Sequence, residues 1–317
     1  MEQAEILSFL SQNIQQILTK ANLDFEKLQE IRLRCYKPLI LVLDGREKWF
    51  DSNGKITNDR KKAYQVSPQD IKETMEYVSD YSIYAYEEEI RQGFLTIRGG
   101  HRVGLAGRVV SEGDQIKGMK HISNINIRIS HEKQGCADKI LPWLFEKKKL
   151  CHTLLISGPG CGKTTMLRDL VRQISDGSGS IPGYTVGVVD ERSEIAGCYN
   201  GIPQNDVGIR TDVLDCCPKA EGMMLLIRSM SPDIIAVDEL GCKEDIHAIE
   251  TAIHCGCKLL ATVHGTSIED IRRKPLFDQL IRDQVFERYV VLHNREQIGR
   301  VRAIFNQNGN CIFGECG

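Results

Sequence analysis

One stretch, Cys151 to Ile174, constrains the chain more than any other: CHTLLISGPGCGKTTMLRDLVRQI. The apolar run Leu154-Leu155-Ile156 leads into a glycine-rich turn and then into Lys163-Thr164-Thr165. Met166, Leu167, Leu170, Val171 and Ile174 follow at helical spacing and define one apolar face. Strand, glycine-rich loop and helix in this order make a phosphate-binding loop, whose backbone N–H groups converge on an anion at a helix N-terminus. The candidate nucleotide-binding residues are Gly158, Pro159, Gly160, Cys161 and Gly162 of the loop, with Lys163, Thr164 and Thr165 at the helix start. In this arrangement Lys163 reaches the β- and γ-phosphates of ATP, and the Thr164 hydroxyl ligates Mg²⁺. The strict pattern has a glycine where this chain has Ser157, so Gly158 and Gly160 are expected to supply the backbone freedom.

A second motif lies downstream, in PDIIAVDELG from Pro232 to Gly241. An apolar strand ending in Asp-Glu suits the magnesium side of a nucleotide hydrolase. Asp238 would hold the metal, and Glu239 would orient or deprotonate the attacking water. Taken alone, such a pair also suits a buried strand that runs into a helix cap. Its place after the phosphate loop favours catalysis, so hydrolysis is expected rather than nucleotide storage.

Further apolar strands end in polar groups. Thr185–Val189 runs into Asp190-Glu191-Arg192, and Leu259–Val263 runs into His264. Asp190 and Glu191 are candidates for contacting Mg²⁺ or polarising water, and His264 for sensing the γ-phosphate. Helical patterns alternate with these strands, which predicts a mainly parallel sheet with its ligand at the carboxyl ends. Arg192, Arg210 and Arg228 are candidates for sensor or intersubunit roles.

The N-terminal part has a different texture. Ile6, Leu7, Leu10, Ile14, Ile17 and Leu18 recur at helical spacing, and Ser67-Pro68 starts another helix. Gly99-Gly100 marks a hairpin, and Gly104 and Gly107 mark a bulge or a closely packed backbone. The arginines Arg98, Arg102, Arg108 and Arg128 are either solvated strand residues or cations offered to a nucleotide across an interface. A linker is read at His131–Ala137, and a helix ending in LPWLFEKKK is expected to open the second domain. The fold class is therefore α/β, with an α+β domain over residues 1–135 and a phosphate-loop ATPase domain over 136–317.

Net charge is −2, so no global field draws the chain to nucleic acid. The polar N-terminus reads as no signal peptide, and no apolar run reaches the ~18 residues of a membrane span. The cysteines form no C-x-x-C pair and are expected to be reduced thiols in the cytoplasm, with zinc the lesser option.

The order GPGCGKTT, VVDERSE, SPDIIAVDELG and LLATVHGTS resembles the secretion ATPases of type II and type IV systems. It resembles still more closely an ATPase-like family of endospore formation, to which IRGGHRVGLAGRVV and INIRIS are also similar. The resemblance covers about Ile31 to His264. It implies a RecA-like core, a hexameric homo-oligomer with ATP between the two domains, and arginines reaching across subunits. It also implies a cytoplasmic motor docked peripherally on membrane-embedded channel proteins of a sporulation complex, without inserting into the membrane. Two other readings remain open: a nucleic-acid-stimulated ATPase, and an assembly scaffold that binds nucleotide without turnover. The C-terminal strands, with a hairpin at Asn308-Gly309, either complete the core sheet or form a partner surface.

Overall fold

The computed structural model describes residues 3–113, 115–177, 179 and 181–314. The chain divides into two compact units, Met1–His131 and Glu132–Gly317.

The first unit holds a seven-stranded antiparallel sheet in the order β4-β3-β2-β1-β7-β6-β5. Its strands are β1 (Leu28–Arg34), β2 (Ile40–Leu43), β3 (Arg46–Phe50), β4 (Ile56–Thr57), β5 (Phe94–Ile97), β6 (His101–Glu112) and β7 (Gln115–Arg128). Helices α1 (Gln3–Ser8), α2 (Gln12–Ala21), α3 (Pro68–Val78) and α4 (Glu87–Gln92) complete it. The N-terminal apolar period is split between α1 and α2, with Ser11 between them donating its hydroxyl to buried Asp70 at 2.7 Å. α3 opens as its sequence predicts: Ser67 caps it in a capping box with Asp70, and Pro68 holds the first turn. The β5–β6 connection bends through Gly99 and Gly100, at φ 77° and 70°. Gly107 lies at a bulge, where a Cβ would stand 2.8 Å from the His121 carbonyl, so no larger residue fits without a shift.

The second unit begins differently from expectation. No helix forms at 142–149; a 3₁₀ turn at Leu141–Leu144 leads into a small hairpin, β8 (Phe145–Glu146) and β9 (Lys149–Leu150). Lys147 and Lys148 take left-handed φ of 48° and 66° at its tip, which stops helix propagation.

An eight-stranded sheet follows. It comprises β10 (Thr153–Ser157), β11 (Val186–Asp190), β12 (Thr211–Asp215), β13 (Ile234–Val237), β14 (Lys258–His264), β15 (Arg288–Leu292), β16 (Val301–Asn306) and β17 (Cys311–Gly314). The order is β12-β11-β13-β14-β10-β15-β16-β17. β11 pairs parallel with β12 and β13, β13 with β14, and β10 with β14 and β15. β16 and β17 pair antiparallel, so the tail completes this sheet.

Helices α5 (Lys163–Asp176), α6 (Lys219–Ser229), α7 (Lys243–His254), α8 (Ile268–Arg272) and α9 (Pro275–Arg282) cover the sheet. The buried residues form one core with Met166, Leu170 and Leu260, and another with Met223, Ile249 and Leu259. β10 and β13 are buried along their whole length, which is why they read as continuous apolar runs. Among the described residues no helix is long and apolar enough to cross a membrane. The described cysteines from Cys35 to Cys257 are free thiols. Cys311 is disulfide-bonded, which corrects the expectation of reduced thiols throughout. Cys316 lies outside the described residues.

The first unit contains a pH-sensitive group. His101 is fully buried. Its Nδ1 accepts the Ser130 backbone N–H at 3.1 Å, so the neutral ring carries its proton on Nε2, which has no partner. Burial, with His131 adding to it, holds its pKa down at about 4. An unfolded histidine titrates near ~6.5. Between these values the unfolded chain binds a proton that the folded chain refuses, so stability is full above the upper value and falls as pH drops. Lowering pH from 7 to 5 should remove roughly 2 kcal/mol through this residue. Urea midpoints at the two pH values should therefore converge in His101→Gln; equal losses in both proteins would reject the assignment.

Candidate functional site

The loop between β10 and α5 is fixed by its neighbours on both sides. Gly299 N–H donates to the Cys161 carbonyl at 3.0 Å, and Gly265 N–H donates to the Ser157 carbonyl at 3.1 Å. Gly160 and Gly162 take φ of 71° and 92°. A Cβ on Gly162 would also lie 3.1 Å from Gly299 N, so this position combines a left-handed φ with a close approach. Gly158 is not left-handed, contrary to expectation; Gly160 and Gly162 make the bend. Ser157 ends β10 in ordinary extended backbone, so the departure from glycine costs no strain there. The first helical bond, Met166 N–H to Gly162 O at 2.9 Å, leaves the earlier amides of α5 to face an anion.

Lys163, the first residue of α5, is buried at 7% exposure. Its Nζ lies 2.8 Å from His264 Nδ1 and 3.4 Å from the Ser157 carbonyl. Burial lowers its pKa, against the pull of Asp238 and Glu239. On the far side of the imidazole, His264 Nε2 lies 3.0 Å from Glu239 Oε2. An ammonium only donates, so Nδ1 accepts and Nε2 directs its proton at Glu239. Lys163, His264 and Glu239 thus form one connected row.

Thr164 Oγ1 donates to Asp238 Oδ2 at 3.4 Å. Asp238 Oδ1 accepts from the Glu239 amide and from Thr262 Oγ1, both at 2.9 Å. Thr262 escaped the sequence reading because its hydroxyl looks like part of an apolar strand. The Thr164 hydroxyl and one Asp238 oxygen are hard donors, few in number, as suits Mg²⁺ shared with phosphate oxygens. Among the described residues no group of three or more His, Cys, Asp or Glu could hold a metal.

Glu191 is half exposed and bonds the Lys219 ammonium, a partner the sequence did not indicate. With Arg192, Asp238 and Glu239 it lines a cavity of about 270 Å³. Its neighbour Asp190 is not available for metal or water. Its carboxylate accepts the amides of Glu194, Ile195 and Ala196 at 2.8, 2.9 and 2.8 Å. Burial pushes its pKa up to about 6, with these amides opposing.

Arg210 caps the end of α5 on the Ser175 and Asp176 carbonyls, away from the loop. Arg228 lies in a groove of about 870 Å³ between α6 and α7 that touches none of the site residues. In the first unit, Arg102 stacks on Phe94 at 3.7 Å. Gly158, Pro159 and Cys161 also border a cavity of about 540 Å³, closed by Leu292, His293 and Arg302.

A model of the family described as sporulation stage III, protein AA matches residues 1–312. Stage III sporulation protein AA of Bacillus subtilis (strain 168) is 42% identical over 286 residues, covering 90% of this chain and 89% of that protein. Among solved structures, the Legionella pneumophila ATPase DotB superposes with a TM-score of 0.57 at 17% identity, over 92% of this chain and 79% of that one. The pilus retraction motor PilT with bound ADP gives 0.52 at 17% identity, over 83% and 73%. At these identities the likeness is one of fold.

The phosphate loop is testable by its lysine. Lys163→Ala should weaken ATP binding by about tenfold or more, the worth of a charge-assisted contact. Calorimetry on the variant, with circular dichroism confirming its fold, checks this; unchanged affinity would remove Lys163 from phosphate binding.

Proposed function

This chain belongs to the sporulation stage III protein AA family, and from that premise we propose that it is an ATP-hydrolysing motor with a RecA-like core. The observation that supports this best is the convergence of Lys163, Thr164, Asp238, Glu239 and His264 beside one glycine loop, through contacts of 2.8 to 3.4 Å. A phosphate cradle alone would suit storage. A carboxylate pair beside it, Asp238 for the metal side and Glu239, oriented by His264, for the water, suits turnover.

The reaction is ATP and water going to ADP and phosphate. The loop amides and Lys163 bind the phosphates and offset the charge that gathers on the phosphate oxygens. Thr164 and Asp238 would hold Mg²⁺, which when bound would neutralise charge on the phosphates. Glu239 takes a hydrogen bond from the attacking water, sets its line of approach and receives its proton. His264 fixes the Glu239 carboxylate through Nε2 and reads the phosphate side through Lys163. Glu191, held by Lys219, assists from the same cavity.

The family premise extends the proposal to assembly. A hexameric ring would dock on membrane-embedded channel proteins of the sporulation complex between mother cell and forespore, from the cytoplasmic side. Arg192 borders the cavity with Glu239 and remains, with Arg210 and Arg228, a candidate for a sensor or intersubunit role. The near-neutral charge gives no support to a nucleic-acid partner.

ATP turnover per chain, measured against protein concentration with mass determined in parallel, tests the motor. Turnover should rise as the larger assembly forms, and Glu239→Gln should bind ATP normally while losing about 100-fold or more in rate. Tight binding without turnover in any assembly state would establish a nucleotide-binding scaffold instead.

A further inference from the structure

We propose that Thr262 is a positioning residue that presents the metal-side carboxylate, aiming Asp238 Oδ2 at the Mg²⁺ position and holding Glu239 beside it. The proposal rests on the reading of Asp238 as the metal-side group.

Thr262 lies inside β14 and is fully buried. A strand alternates its side chains, so Thr262 shares a face with His264. Ala261 is in register with Val237, which puts Thr262 level with the turn that follows β13. Three successive residues of that turn bond to it. Its hydroxyl donates to Asp238 Oδ1 at 2.9 Å. The same oxygen accepts the Glu239 amide at 3.1 Å. Its carbonyl accepts the Leu240 amide at 2.9 Å.

The direction of the hydroxyl proton follows from this arrangement. A hydroxyl has one proton to give, and an amide can only donate to it. The proton therefore goes to Asp238, and Oδ1 is engaged twice, by Thr262 and by the Glu239 amide. Oδ2 is left facing Thr164 Oγ1, the other hard oxygen of the metal side. Without the hydroxyl the carboxylate can rotate, and the Glu239 amide loses one of its two acceptors. A valine has nearly the shape of threonine but cannot make either bond.

The full chain is compared with Thr262→Val, Thr262→Ala and Thr262→Ser, with ADP as the probe so that no turnover is needed. Affinity is measured by calorimetry in EDTA and across a Mg²⁺ titration, beside urea unfolding of each protein. All four should bind ADP alike in EDTA. The Mg²⁺ concentration giving half of the affinity gain should rise by about tenfold or more in Val and Ala and stay within about twofold in Ser. A threonine that only fills the core would lower the urea midpoint and leave the Mg²⁺ midpoint in place, which overturns the proposal. Thr262→Ala decides the matter if Thr262→Val fails to fold. If the unaltered protein binds ADP with no response to Mg²⁺, the metal-side reading of Asp238 has failed and the proposal falls with it. If it binds no ADP at all, the phosphate loop itself has been misread.

Discussion

The Lys163 ammonium is buried at the N-terminus of α5, where both desolvation and the positive end of the helix act against its charge. Only negative charge or good acceptors make that position tenable. The protein supplies the Ser157 carbonyl and the His264 ring at once, and the Asp238 and Glu239 carboxylates behind them. A bound phosphate would supply the rest. The same burial that makes the lysine costly makes its interaction with an anion strong, since little water competes.

Strand order brings this about. β14 lies between β10 and β13, so the residues at their carboxyl ends stand side by side. β10 delivers the loop, β13 delivers Asp238 and Glu239, and β14 delivers His264 from its end and Thr262 from one step inside. The C-terminal strands contribute too. The connection between β15 and β16 places Gly299 against Cys161, so the tail braces the phosphate loop.

Much of this architecture was legible in the sequence. The strand, loop and helix around Gly162 are local, and glycine spacing with a 3.6-residue apolar period reports local structure well. The capped start of α3 and the turn at Gly99-Gly100 were legible for the same reason. β12 was not anticipated: it is a half-buried edge strand, TDVLD, with no strong apolar pattern. The turn at Lys147 and Lys148 was read as helix because lysine favours helix wherever backbone geometry allows it.

The sequence by itself determined that a glycine-rich loop joins a strand to a helix, which lysine and threonine open that helix, and which carboxylates end the apolar strands. Only the tertiary structure decided which partners each carboxylate meets. Asp190 and Asp238 look alike in sequence, each an aspartate closing a strand and followed by glutamate. Asp190 meets three amides of its own following loop and holds that loop in place. Asp238 meets one hydroxyl from β14 and keeps an oxygen turned toward Thr164. The partners that separate the two are set by chain folding rather than by residue type. A hydrogen bond depends on donor position to within a few tenths of an ångström, and no pattern of residue types carries that information.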